Sequence, residues 1–225
     1  MGITDILGAL STALNEINSN LPFLFFWMGL AWIILIVNFF LANALFILGL
    51  LPRHPLGLIG IFTSPLIHGN FQHLFMNAAF YLGLGGLVLS QGLDTFLTVS
   101  ISIMFISGSL VWVFGRKALH VGASSLIIGY WAYLSIRAIV DPNPTQILGA
   151  LLGMYYFGMH MAGSLLSTKG NVSIEGHMAG LVAGLITGFY YQEIFSWFSI
   201  YGSDILNWGY NLSNDLNLLL NNTST

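Results

Sequence analysis

Six apolar runs, each of a length that can cross a bilayer, constrain this chain more than any other feature. A transmembrane helix needs about 20 mostly apolar residues. Such runs lie at 23–46, 71–89, 96–114, 123–140, 147–166 and 175–195. Charged residues make up only 6% of the 225, against roughly 25% in soluble proteins. The sequence therefore predicts an all-α, multi-pass integral membrane protein, a bundle of six transmembrane helices.

The two ends of the chain have a different pattern from the six runs. Apolar residues repeat at helical spacing before the first run, at Ile3, Ile6, Leu7, Leu10, Leu14 and Ile17. This spacing predicts an amphipathic segment, 1–22, that lies on the membrane surface. Aromatic residues among many Asn and Ser predict a second interfacial segment at 194–225. The membrane domain is expected between them, at 23–193.

Net charge and residue types exclude several classes of function. The formal charge is -3, too small to indicate a nucleic-acid partner. The chain has no cysteine, which excludes thiol catalysis and thiolate metal sites. No His-Glu-x-x-His spacing of a zinc protease is present. We therefore expect neither a metal nor another cofactor.

Polar residues at the start of the second run are the first candidates for a site. His73 and Asn77 are four residues apart, so they share one face of a helix. Polar side chains are expensive in lipid and indicate function by default. Hydrogen bonds between neighbouring helices are the alternative explanation.

Small residues at the start of the fourth run form the second candidate. Gly122-Ala123-Ser124-Ser125 leads into this run, and the charged residues shortly before it predict a loop that dips toward the membrane. Ser124 is then expected at a helix N-terminus, where free N–H groups favour a developing oxyanion. Close packing of small residues would explain the same letters without chemistry.

A histidine and two glycines share one stripe of the sixth run. His177, Gly180 and Gly184 stand at positions i, i+3 and i+7, and such glycines let a neighbouring backbone approach closely. The histidine could then reach a serine on another helix. With Ser124 as nucleophile, His177 as general base and two polar donors from the second run, the pattern predicts acyl transfer.

Taken in this order, the motifs resemble those of the rhomboid intramembrane serine proteases. The resemblance covers about 23–192, in the order His-x4-His-x3-Asn, Gly-x-Ser, Gly-His-x2-Gly-x3-Gly. It implies a Ser124–His177 dyad and an oxyanion held by His73, Asn77 and the Ser124 N–H. It also implies structural support from His68, Gly122, Gly180 and Gly184.

Two positions depart from the family pattern. The residue after the nucleophile is usually glycine and is Ser125 here. The aromatic residue four positions after the nucleophile, which stacks on the dyad histidine in most members, is replaced by Ile128.

The resemblance implies cleavage of peptide bonds in or beside transmembrane helices of other proteins. The expected partners are such substrates and the lipid bilayer, and the expected location is the cell (inner) membrane. Two alternatives stay open. In the first, the chain is an inactive rhomboid-like protein that binds membrane clients, which Ser125 and Ile128 favour. In the second, it is a small transporter or channel that uses the same polar residues as a pathway.

Overall fold

The fold is a bundle of helices joined mostly by short connections. A computed structural model describes residues 2–166 and 173–201, with the backbone alone for 156–166. The main helices are α1 (Ile3–Phe40), α2 (Phe71–Leu89), α3 (Leu93–Phe114), α4 (Ser124–Val140), α5 (Pro144–Leu166) and α6 (Ile174–Phe189). No strand occurs in the described ranges, apart from an isolated bridge between two residues. The prediction of an all-α membrane protein is confirmed.

Helix α1 is longer than a membrane span requires. Its 38 residues give a length of about 57 Å, against about 30 Å of hydrocarbon. It contains Pro22 in its interior. Most of the predicted surface segment, and the first predicted span as far as Phe40, are therefore parts of one continuous helix. The span is expected to reach residue 46, but the chain turns after Phe40 and a short helical turn, Ala44–Leu48, follows. Where the surface segment ends along this helix stays a prediction.

Three of the described helices are long and apolar enough to cross a membrane, namely α1, α2 and α3. Helices α4 and α6 are apolar but shorter, at 17 and 16 residues. A helix of 17 residues spans about 26 Å, slightly less than the hydrocarbon core. The count of six spans stays a prediction.

The connection between α1 and α2 is a folded loop of short helical turns. These turns are Ala44–Leu48, Pro55–Leu58, Gly60–Thr63 and Ser64–Leu66. Arg53 fastens the loop to the end of α3, because its guanidinium donates to the Val113 carbonyl at 2.8 Å and its N–H to the Trp112 carbonyl at 3.1 Å. The loop is thereby held against the bundle.

Helix α4 is the centre of the bundle. Its Ile127, Tyr130, Tyr133 and Leu134 are among the most completely buried side chains of the described residues. A helix that is apolar all round is expected in such an interior position. Helix α6 packs along one side of α4 with the two backbones in contact, and α5 follows α4 after a turn of three residues.

The C-terminal part begins a separate unit at Tyr190. Residues 191–201 of this unit are helical. The predicted interfacial tail, 194–225, lies outside the described residues from 202 onward. The bounds of the three predicted segments stay predictions.

Candidate functional site

Ser124 is the first residue of α4, where the loop after α3 enters the helix. Two backbone contacts hold this loop. His120 pairs with Leu50 through two N–H···O bonds of 2.9 Å, and the Gly122 N–H donates to the Ser64 carbonyl at 2.9 Å. Gly122 has a φ of +108°, which favours glycine. Ser124 is half-buried, and the first N–H groups of α4 have no carbonyl partner within the helix.

His73 and Asn77 of α2 lie against this loop. A Cβ atom on Gly122 would stand 2.6 Å from Cε1 and 2.8 Å from Nε2 of His73, and 3.4 Å from Nδ2 of Asn77. The side chain of Asn70 caps α2 and accepts the His73 N–H at 2.8 Å. The structure thus brings both polar side chains of α2 to a point two residues before Ser124.

His68 supports Asn77 from the loop that precedes α2. The two side chains hydrogen bond between Nε2 and Nδ2 at 3.0 Å, and His68 Nδ1 lies 3.4 Å from the Leu66 carbonyl. Burial, and secondarily the charge of His73, lowers the pKa of His68 to about 4, although the Leu66 carbonyl raises it. His68 is therefore neutral near pH 7. Its Nδ1–H donates to Leu66 and its Nε2 accepts from the Asn77 amide.

Helix α6 reaches α4 through its glycines. A Cβ on Gly180 would clash with the Ser125 carbonyl oxygen and lie 2.9 Å from the Ser125 Cα, and one on Gly184 would clash with the Gly129 carbonyl oxygen. His177 is one turn before Gly180 and is half-buried. His177 and Ser124 therefore lie toward the same end of the α4–α6 interface.

Two residues beside the site had no predicted role. His120 Nδ1 and Ser173 Oγ hydrogen bond at 2.8 Å, although 53 residues separate them. The position of Ser173, directly before the first turn of α6, is a recognisable signal for a helix cap. His120 has no comparable local signal, because its partner comes from a distant segment.

Two cavities border the site. A small one of about 40 Å³ adjoins Ser124, and several of the residues that line it are polar, namely Ser64, Ser107, His120, Ser124, Ser125 and Ser173. A larger one of about 310 Å³ lies between α1, α2, α3 and α4, is mostly apolar, and has His68 and Asn77 in one wall. Among the described side chains, no three His, Asp or Glu residues cluster as metal ligands would.

Known proteins resemble more than half of this chain. An uncharacterized protein of Mycobacterium tuberculosis (strain H37Rv) is 28% identical over 171 residues, which are 72% of this chain and 71% of that protein. An uncharacterized protein of Mycobacterium leprae is 30% identical over 137 residues, which are 58% of this chain and 55% of that protein. The family model of the Rhomboid domain matches residues 55–194, more than half of the chain. The chain belongs to the rhomboid family.

Proposed function

We propose that this protein is an intramembrane serine protease, which cleaves peptide bonds in or beside transmembrane helices of other membrane proteins. Members of the rhomboid family act in this way. The observation that carries the proposal is the contact of His73 and Asn77 with Gly122. Two side chains able to donate hydrogen bonds thus lie two residues before a serine at a helix N-terminus, and this supports their proposed role as oxyanion donors.

In the proposed reaction, Ser124 and His177 form the dyad. The Ser124 oxygen bonds to the scissile carbonyl carbon, and its proton passes to His177. The carbonyl oxygen becomes an oxyanion that accepts hydrogen bonds from His73, Asn77 and the Ser124 N–H. The C–N bond then breaks, and the leaving amine takes the proton from His177. An acyl ester on Ser124 remains.

Deacylation requires water, which lipid does not supply. The small cavity beside Ser124, of about 40 Å³ and with several polar residues in its walls, is large enough for a water molecule, which needs at least about 10–15 Å³. We assign it as the source of the hydrolytic water. Water would attack the ester carbon and give its proton to His177, and the departing Ser124 oxygen would recover a proton from the same imidazole.

The expected substrates are membrane proteins, reached from the bilayer, and no metal or cofactor enters the proposed steps. The expected location is the cell membrane. The family and the apolar helices support the substrate class and the membrane location.

An inactive rhomboid-like protein that binds membrane clients is the second candidate. Ser125 carries a side chain where the family usually has glycine, at a residue whose backbone carbonyl and Cα meet Gly180. Ile128 is buried, and it offers no ring to stack on His177. These two positions favour the alternative, whereas Ser124, His177, His73 and Asn77 favour the protease.

Labelling with a fluorophosphonate probe tests the proposal. The probe should modify detergent-purified wild type, and Ser124→Ala and His177→Ala should abolish labelling, because one removes the nucleophile and the other its base. Ser125→Ala is the matched control, since it removes the neighbouring hydroxyl alone, and it should keep labelling. A wild type that stays unlabelled, while a Ser125→Gly, Ile128→Tyr double variant reacts, would favour the inactive alternative.

A further inference from the structure

His120 joins three segments that are distant in sequence. Its backbone pairs with Leu50 of the loop after α1. Its buried imidazole lies 3.2 Å from the Arg116 carbonyl through Nε2 and 2.8 Å from Ser173 Oγ through Nδ1. The same side chain therefore contacts the loop that leads to Ser124 and the residue that precedes α6.

The partners of His120 fix the direction of each hydrogen bond. A carbonyl only accepts, so Nε2 of His120 must carry the proton that is donated to Arg116. In the neutral ring, Nδ1 is then an acceptor, and it receives the hydroxyl proton of Ser173. Ser173 Oγ in turn accepts the Gly176 N–H at 3.1 Å. Each donor in this series of hydrogen bonds has one acceptor.

Ser173 holds the first turn of the helix that carries His177. Its side chain accepts the Gly176 N–H, and its carbonyl accepts the His177 N–H at 3.2 Å. The N–H groups of a first turn have no partner within their own helix and depend on such caps. The direction of the Ser173 hydroxyl, and with it the cap, depends on His120.

We propose that His120 is a positioning residue, which fixes His177 relative to Ser124 through the cap on α6. The proposal rests on the proposed function, in which Ser124 and His177 react together. The glycine contacts between α4 and α6 begin at Gly180, one turn after His177, and the Ser173 cap holds the turn that precedes them. His120 links this cap to α4, because it stands four residues before Ser124 in the loop that enters α4.

A second contact joins the same two segments and serves as the control. Arg116 and Glu175 form an ion pair at 3.4 Å, with side-chain exposures of 52% and 33%. Exposed ion pairs contribute little, because water screens them. Glu175→Gln should therefore change the labelling rate less than threefold, although it removes a contact between the loop and α6.

Two substitutions of His120 separate its two hydrogen bonds. The side-chain oxygen of Asn can replace Nδ1 as the acceptor for Ser173, whereas the side-chain nitrogen of Gln can replace Nε2 as the donor to Arg116. We expect His120→Asn to keep the fluorophosphonate rate constant within about threefold of wild type. His120→Gln and Ser173→Ala should each lower it by about tenfold or more. The double variant His120→Gln, Ser173→Ala should label no more slowly than either single variant, because both substitutions break the same hydrogen bond.

Hydrogen exchange of the backbone amides supplies a readout that needs no activity. Peptides that contain Gly176 and His177 should exchange at least tenfold faster in His120→Gln and in Ser173→Ala, and at the wild-type rate in His120→Asn. The fraction of protein that becomes labelled should not change, since a variant that merely misfolds loses labelled fraction and not rate.

The outcomes separate this inference from the proposed function. The positioning role of His120 would be overturned if His120→Gln had the wild-type labelling rate and the wild-type amide exchange. It would also be overturned if His120→Gln lowered only the labelled fraction of the protein. If the wild type itself does not label, the proposed function fails. The exchange data then decide the inference alone: faster exchange at Gly176 and His177 supports the link, and unchanged exchange overturns it.

Discussion

Helix α4 contacts α6 on one side with the two backbones touching, whereas its other side borders the cavity of about 310 Å³ between α1, α2 and α3. On the α6 side, Gly180 and Gly184 leave no room for a methyl group. On the cavity side, Tyr130 hydrogen bonds to Ser100 at 2.7 Å, and space remains beside both residues.

The difference follows from what each side must hold. A dyad shared between two helices needs a fixed separation, and contact between backbones fixes it without adjustable side chains. The donors on α2 are held in another way, by the hydrogen bond from Asn77 to His68 and by the fit of His73 against Gly122. Tight packing therefore positions the two helices of the proposed dyad, whereas a hydrogen bond and the fit against Gly122 position the proposed oxyanion donors.

The largest predicted effect comes from adding a methyl group on the tight side. Gly180→Ala and Gly184→Ala should each destabilise the fold by about 3 kcal/mol and abolish labelling, because α6 must move away from α4. Unfolding in detergent measures the first effect, and the fluorophosphonate probe the second. Gly83→Ala on α2, where a Cβ would meet nothing within 4 Å, is the matched control and should be neutral. Equal stability of all three variants would refute the comparison.

A second prediction concerns Gly122, where the loop meets the donors of α2. Gly122→Ala should slow labelling about 100-fold, since the new Cβ would displace the His73 ring from the oxyanion. Gly92→Ala controls for backbone strain: its φ is +104°, close to the +108° of Gly122, but a Cβ there would meet nothing within 4 Å. It should lower stability and leave the labelling rate unchanged. If both variants label at the same rate, the contact with His73 does not matter.

Acidification should lower the stability of the fold through His68. His68 has a pKa of about 4 in the folded protein, below the ordinary value of 6.5, so unfolding takes up a proton between these pH values. Stability is then fully present above pH 6.5 and falls as the pH drops toward 4. The expected loss between pH 7 and pH 5 is about 2 kcal/mol.

Unfolding titrations of wild type and His68→Gln at both pH values test this. Glutamine can accept from Asn77 but does not titrate, so its stability should change by about 2 kcal/mol less than that of wild type. The same pH dependence in both proteins would assign the effect to other groups.

Much of this arrangement could be predicted from the sequence, because helical spacing determines which residues share a face. The spacing of His73 and Asn77 indicated one polar face, and the stripe from His177 to Gly184 indicated a close helix contact. Both features are local to one helix. The polar positions are informative because polar side chains are rare in membrane-spanning segments.

The remaining features depend on contacts or lengths that local pattern does not encode. Proline disfavours a helix interior, yet α1 runs through Pro22 as one helix. The bond from His120 to Ser173 joins residues that are far apart along the chain. The cavity beside Asn77 depends on how four helices pack, which no single run of residues determines.

The smallest predicted effect comes from adding volume on the cavity side of α4. Ala78 of α2 lines the large cavity, so Ala78→Leu should fill part of it and raise stability by up to about 1 kcal/mol. The labelling rate should stay within about twofold of wild type, because the donors on α2 are held by hydrogen bonds and not by this packing. Unfolding and labelling of Ala78→Leu beside Gly184→Ala measure the contrast directly. A destabilised Ala78→Leu would mean that the cavity walls are as rigid as the α4–α6 interface. The two sides of α4 would then not differ in how much added volume they tolerate.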